Sequence, residues 1–397
     1  IGGLNGAGDV CNNWNGHGAA GDTLTVGAGN KSGSYGGVIH GSQTAGTDGT
    51  IDNGIVNLAK TGTGTQALTG ASTYSGTTTI SGGVLDICGS GRLGTGGNYI
   101  GATVNNSTLI YGSSANQTNS GVVSGTGILI KTNSGSVTLA NLCTYTGPTV
   151  VSNGILDLGS SGVITNSLAT VYGGATLSGS GVVVSNCTLQ TGAFLAPGGY
   201  GVTNTLNFRT NLTIAVATNY FDFAATDDGD LVAVGGNLVV NNAKIFVNPL
   251  APLDIGSYPL FTYAGVLDGT GFDPVVQGTN ATLYTWSIDT NTPNIVYLTI
   301  GGSVTSLTWN PLGQPATWDI VNTVAWTNET GQTNFHQYDD VAFTDLGVAS
   351  NVVTLVGSLY PSSIVVSNSL TNYTFKGSGR IAGGGSLTKD GAAWLTI

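Results

Sequence analysis

The chain has 397 residues, 40% of them apolar and only 7% charged, with 65 glycines, nine Lys plus Arg, twenty Asp plus Glu and a net charge of −11. So few basic residues, none clustered, exclude a nucleic-acid footprint, and no apolar run approaches the roughly 18 residues of a membrane-spanning helix. Scarce charge leaves little material for salt-bridged helical surfaces, whereas short Val/Ile/Leu/Thr runs can bury a core as strands.

The first residues, from Ile1, carry neither Met nor a signal-like segment and read as a mature or excised piece. Within residues 1 to 57, Leu24 and Val26 alternate with threonines as a half-buried strand does. Gly37-Val38-Ile39 echoes Gly121-Val122-Val123, with a surplus that falls in HGSQTAGTDGT (40 to 50), a surface loop at a corner. The organising unit is residues 58 to 87, LAKTGTGTQALTGASTYSGTTTISGGVLDI, which returns at 129 to 158 as LIKTNSGSVTLANLCTYTGPTVVSNGILDL. The offset of 71 carries Lys60 onto Lys131, Tyr74 onto Tyr145 and Asp86 onto Asp157, and thirteen of thirty positions are identical without a gap. A third, shorter copy, LTKDGAAWLTI (387 to 397), sets Leu387, Lys389 and Ile397 opposite Leu58, Lys60 and Leu68.

Self-similarity of this kind marks a solenoid, and 71 residues predict three rungs of about 24 residues turning at Gly, Asn or Ser. Leu85 and Ile87 must then face inward and Asp86 outward, because an unpaired buried carboxylate is costly; Leu156 and Leu158 repeat this around Asp157. Leu68, Ile80, Leu85 and Ile87 are expected to stack in columns with Leu139, Val151, Leu156 and Leu158. Residues 159 to 205 continue the coil to Pro197-Gly198-Gly199. Residues 206 to 300 are richer in aromatics and read as a closing β module, since large side chains can shield a last open rung. From 301 a block with Trp309, Trp318, Trp326, Phe335 and Phe343 restarts the pattern.

With Leu58, Lys60, Gly62, Gly64, Leu68, Thr73, Tyr74, Gly76, Gly83 and Leu85 in the first copy, the unit resembles the autotransporter-associated β-strand repeat of large secreted bacterial surface proteins. Leu129, Lys131, Gly135, Leu139, Thr144, Tyr145, Gly147, Gly154 and Leu156 carry the resemblance in the second. Ser72, Cys143 and Asn133 depart from it, replacing Asn, Asn and Gly. The resemblance implies an all-β fold, a right-handed parallel β-helix, on an extracellular protein or at the cell surface, and implies no chemistry or cofactor. It also implies that 206 to 300 terminates one solenoid and that the aromatic block after 301 caps the opening of a second. The expected organisation is thus 1–205 solenoid repeats, 206–300 closing module, and 301–397 cap and start of a further repeat.

Candidate sites are sparse. Asp227, Asp228 and Asp230 on a Gly turn offer the hard oxygens Ca²⁺ takes, though a polar turn gives the same pattern; Asp339, Asp340 and Asp345 are a second such group. His17, His40 and His336 lack metal-ligand spacing. Cys11, Cys88, Cys143 and Cys187 are too few for a disulfide scaffold and read as small buried hydrophobes, a bridge between walls being the alternative. Sequons at Asn106, Asn116, Asn211, Asn280 and Asn372 are what an Asn/Thr-rich chain produces by chance. Three functional classes compete. A lyase or hydrolase needs paired carboxylates, and Asp86 and Asp157, expected three rungs apart, are too distant to flank one glycosidic bond. Threonine ladders (Thr77, Thr78, Thr79; Thr144, Thr146, Thr149) could form a glycan-binding face. The favoured reading is a structural or adhesive fibre. In it, Ile1, Leu4 and Val10 at one end and Leu387, Trp394, Leu395 and Ile397 at the other lie on open rungs, which either join separate copies into a head-to-tail filament or belong to a longer run of repeats.

Overall fold

The structure is a computed structural model, and it describes residues 1–12, 21–41, 55–225, 228–250, 253, 256–277, 285–301, 304–320 and 322–397. Two short 3-10 turns, Ala28–Asn30 and Asp345–Ser350, are the helical elements among the described residues, and everything else regular is strand. The chain is a β-solenoid. It divides into two compact units, one comprising 1–251, 257–279 and 287–298, the other 252–256, 280–286 and 299–397.

In the first unit the strands stack in parallel on three walls. Wall 1 contains Asp22–Val26, Val56–Lys60, Thr78–Ile80, Thr103–Asn105, Val123–Ser124 and Leu142–Cys143, and continues through Thr205–Phe208 to Leu231–Val234. Its register steps from Leu58 to Thr78, Thr103, Val123, Cys143, Ile164 and Val183. Between Leu58 and Val183 all rungs but one are therefore 19 to 21 residues long, shorter than the 24 expected. The rung from Thr78 to Thr103 takes 25 because it carries two short strands on its third side, Arg92–Leu93 and Asn98–Tyr99.

That insertion corrects the reading of the repeat. Leu58 lies on wall 1, but Leu129 lies on wall 2, opposite Leu109 and Thr149. The offset of 71 is three rungs plus one wall, so the second copy is turned round the coil by one side. Leu85 stacks with Gln66, Leu109 and Leu129, whereas Leu156 stacks with Val137, Leu177 and Leu195 on wall 3. All eight core residues named from the sequence are buried, yet the two copies occupy different columns. Such a turn is tolerated because each wall asks the same of its strands: alternate side chains in, alternate side chains out.

Past residue 205 the register runs on, Val183 to Phe208 and Phe208 to Val234, and the interior fills with Phe221, Phe223, Tyr258 and Phe261. The Phe221–Phe261 and Phe223–Tyr258 rings meet edge to face at 5.3 Å. The second unit begins with an antiparallel group, Ser306–Trp309, Trp326–Asn328 and Gly331–Thr333, and then coils in parallel through Asp340–Thr344, Ser363–Ser367 and Ser386–Asp390. Trp309, Trp318, Trp326, Phe335 and Phe343 form one buried aromatic core there, with Trp309 and Trp326 at 5.0 Å and Trp318 and Phe335 at 5.3 Å.

Candidate functional site

The residues that define the repeat build three recurring devices between rungs. The first is a lysine clamp. Lys60 and Lys131 stand in core columns, Lys131 between Tyr111 and Val151, and are 0% and 1% exposed. A buried ammonium is costly unless its protons are bonded. Lys60 Nζ donates to the carbonyls of Thr61 (2.6 Å) and Gly62 (3.0 Å) in its own turn and of Gly82 (2.9 Å) one rung on. Lys131 repeats this with Thr132 (2.5 Å), Asn133 (2.8 Å) and Asn153 (3.3 Å). Burial lowers both lysines, Lys131 to about 8. The clamp explains the motif's glycines. Gly62 and Asn133 share a left-handed φ near +60°, which Asn tolerates, so the Gly-to-Asn departure keeps the turn and adds a bond from Asn133 Nδ2 to the Gly112 carbonyl (3.1 Å). A Cβ on Gly154 would sit 2.2 Å from the Asn133 oxygen and 2.7 Å from Lys131 Nζ.

The second device is a buried hydroxyl corner made by the Thr-Tyr-x-Gly stretch. Tyr74 and Thr78 share a hydrogen bond of 2.8 Å, as do Tyr145 and Thr149 at 2.5 Å. In the first copy Tyr99 bonds Thr78 (2.6 Å) and donates to the Gly76 carbonyl (2.5 Å). In the second Ser167 bonds Thr149 (2.8 Å) and donates to the Gly147 carbonyl (2.6 Å). Thr78 and Thr149 therefore face the interior, and the expected flat threonine array loses them; Thr77, Thr79 and Thr144 are half-buried and Thr146 is exposed.

The third is an asparagine tie. At corner after corner an Asn Oδ1 accepts a backbone N–H one rung on: Asn57 from Thr77, Asn106 from Thr126, Asn116 from Ser136, Asn211 from Asn237 and Asn372 from Trp394, at 2.8 to 3.2 Å. Four of the five sequon asparagines thus hold rungs together, which satisfies backbone donors that corners leave unpaired. Asn280, the fifth, lies outside the described residues, as do Asp227 and His17.

The acidic candidates are likewise tied to backbone N–H or side-chain hydroxyl donors. Asp230, 1% exposed, accepts from the Asn204 and Asp222 N–H groups at 2.7 and 2.9 Å, and burial pushes its carboxyl up to about 8. Asp228 accepts from the Thr203 hydroxyl. Asp339 accepts from the Thr305 and His336 N–H groups, Asp340 from the Ser363 hydroxyl, and Asp345 from the Ser369 and Leu370 N–H groups. Among the described residues no group of three His, Cys, Asp or Glu could hold a metal ion. His40 is engaged by the Gly41 carbonyl, and His336 lies 3.7 Å from Asp339. Asp86 and Asp157 are on different walls, wall 2 and wall 3. The cysteines are free thiols; Cys143 and Cys187 are buried as expected, Cys88 is half-buried, and Cys11 is exposed instead.

The end residues singled out for assembly are open. Ile1 is 61%, Trp394 76% and Ile397 75% exposed, Leu387 is also exposed, and Leu4, Val10 and Leu395 are partly covered. In the third copy Lys389 Nζ donates to the carbonyls of Asp390 (2.5 Å) and Gly391 (3.0 Å) and is exposed. Sequence reasoning found the repeat but not the clamp or the ties; the invariant lysine in an otherwise apolar strand was the signal for the first.

The family signature described as Passenger-associated-transport-repeat matches residues 58–87 and 129–158. The adhesin BmaC autotransporter of Brucella suis biovar 1 (strain 1330) is 30% identical over 161 residues, covering 38% of this chain. The match covers only 5% of that adhesin's length. With both matched copies forming rungs of a β-solenoid, the chain carries autotransporter-type passenger repeats, which indicate a cell-surface or extracellular location.

Proposed function

We propose that the protein is an adhesive surface fibre component, in which the stacked rungs are a spacer and open rung faces accept further rungs. The observation that carries the reading is the passenger repeat folded as stacked parallel rungs, with the adhesin relative beside it. Lys389 holds the Asp390 and Gly391 carbonyls on an exposed face bounded by Ser386–Asp390 and Leu395–Thr396. Leu387, Trp394, Leu395 and Ile397 give that face its apolar side chains; in the first unit Ile1 is exposed and Leu4 and Val10 are partly covered. A strand edge of this kind templates further pairing, and a head-to-tail contact that does not close makes a filament. A longer run of repeats in one polypeptide would satisfy the same face. Negative-stain microscopy of the purified chain tests the filament: fibres are expected, and deleting residues 386–397 should leave a folded body that does not polymerise. Fibres of unchanged width from the truncated protein would remove end-to-end strand addition.

The repeat and the adhesin relative support a role other than catalysis, as does the separation of Asp86 from Asp157 onto different walls. Turnover of any polysaccharide in an acidic and neutral panel, abolished by Asp86→Asn or Asp157→Asn, would reverse that reading.

A further inference from the structure

Outward positions on wall 3 are small or polar through most of the coil: Thr138, Asp157 and Ser178 form one outer column. In the last rungs the same column turns aromatic, with Tyr220 directly opposite Phe246. Tyr220 and Phe246 lie 4.7 Å apart, Phe194 packs on Tyr220 at 5.9 Å, and all three are half-buried. A fourth ring comes from elsewhere. Between Phe194–Pro197 and Thr205–Phe208 the chain makes a seven-residue corner, and Tyr200 at its tip meets Tyr220 edge to face at 5.2 Å while remaining 55% exposed.

The corner is held by carboxylates. Gly201 N–H donates to Asp222 (2.6 Å), Asn204 N–H to Asp230 (2.7 Å), and Asp222 N–H in turn to Asp230 (2.9 Å), with both acids nearly inaccessible. Asn248 also donates to Asp222 at 2.5 Å. Burying two acids is expensive, so their use to fix a surface corner points to the position of what the corner carries. The acidic turn singled out in the sequence thus has a structural task, aiming Tyr200.

We propose that Phe194, Tyr200, Tyr220 and Phe246 form a stacking platform for a neutral polysaccharide lying along the coil axis. Phe194, Tyr220 and Phe246 follow one another by about one rung, ~4.8 Å, with Tyr200 edge-on beside Tyr220, so they suit a linear ligand whose apolar sugar faces recur, not a compact one. Thr218, Lys244 and Asn248 border the rings with hydrogen-bonding groups for hydroxyls, as specific pockets combine apolar area with few polar contacts. The chain's charge of −11 and the carboxylates beneath disfavour polyanions. A protein partner would need a broader dry centre than one file of half-buried rings supplies.

This inference deepens the adhesive reading by naming what is held, and it rests on that reading for the ligand class alone. Native affinity electrophoresis in gels containing hydroxyethylcellulose, laminarin or soluble starch, with alginate as the polyanion, tests it. Retardation by at least one neutral polymer is expected, weakened at least tenfold by Tyr200→Ala and by Tyr220→Ala and largely kept by Tyr200→Phe. The exposed Tyr200 serves as the control for folding, since its removal leaves the core untouched. No retardation by any neutral polymer, stronger retardation by alginate, or unchanged migration of both alanine variants would overturn it. Binding by a chain that stays monomeric would leave the platform standing and remove the filament.

Discussion

Replacing Lys131 by Met tests the clamp, because Met keeps the buried stem and removes only the ammonium. The cation makes three hydrogen bonds to carbonyls from two rungs. Bonds to a charged group contribute about 1.5–3 kcal/mol each, whereas burying the ion costs several kcal/mol, and Met drops both. What remains is three carbonyls without their donor; Asn133 and Asn153 are exposed and water recovers part of theirs, Thr132 less. The net loss should be about 2–4 kcal/mol. Urea unfolding gives the magnitude, and hydrogen exchange of peptides covering 129–158 shows whether the loss is local, which matters because long repeat arrays need not unfold in one step. Lys389→Met, on an exposed face, should change stability by no more than about 0.5 kcal/mol. A loss under about 1 kcal/mol for Lys131→Met, with the turn at Asn153 still protected, would show that the carbonyls do not need the ammonium. The pH dependence has a definite sign. The folded Lys131 gives up its proton near pH 8, the unfolded one near 10.5, so between these values the unfolded chain binds more protons and stability rises with pH. The wild-type minus Lys131→Met difference should therefore grow from pH 8 to 10.5, by at most about 1.4 kcal/mol per pH unit, and be flat below.

Gly154→Ala should cost about 1–3 kcal/mol or more, since it strains a φ of +69° and drives a Cβ into the Asn133 carbonyl; thermal unfolding reads this, with exposed Gly174→Ala, equally left-handed but in open space, expected to lose less. Leu85→Ala and Leu156→Ala should each cost about 2–5 kcal/mol, and because the two stack in different columns the double variant should be additive within about 0.5 kcal/mol; marked coupling would contradict the one-wall turn of the repeat. Thr149→Val should lose about 1–3 kcal/mol in urea unfolding by leaving the Tyr145 and Ser167 hydroxyls short of a partner, despite near-identical volume.

The sequence by itself determined the class of fold, because a period-two pattern with glycine corners and an internal repeat has few other ways to bury its apolar side chains. It also determined which side chains of the repeat face inward: Leu85 and Ile87 against Asp86, Leu156 and Leu158 against Asp157 follow from alternation and from the cost of a buried carboxylate. It could not determine how the copies lie round the coil, because the three walls make identical demands on a strand. The extra strand Asn98–Tyr99, added after Arg92–Leu93 has repeated Ala71–Ser72 of the rung before, lies between the copies and carries no signature of its own. The roles of the polar residues were likewise decided by the stack. Lys60, Thr78 and Asn106 look like surface residues in sequence; only the arrival of a rung some 20 residues later brings the carbonyl, hydroxyl or N–H that makes one a buried clamp, one a buried corner and one a tie. The platform at Tyr200 belongs with these, since its rings come from three strands and a corner that are neighbours only across the rungs.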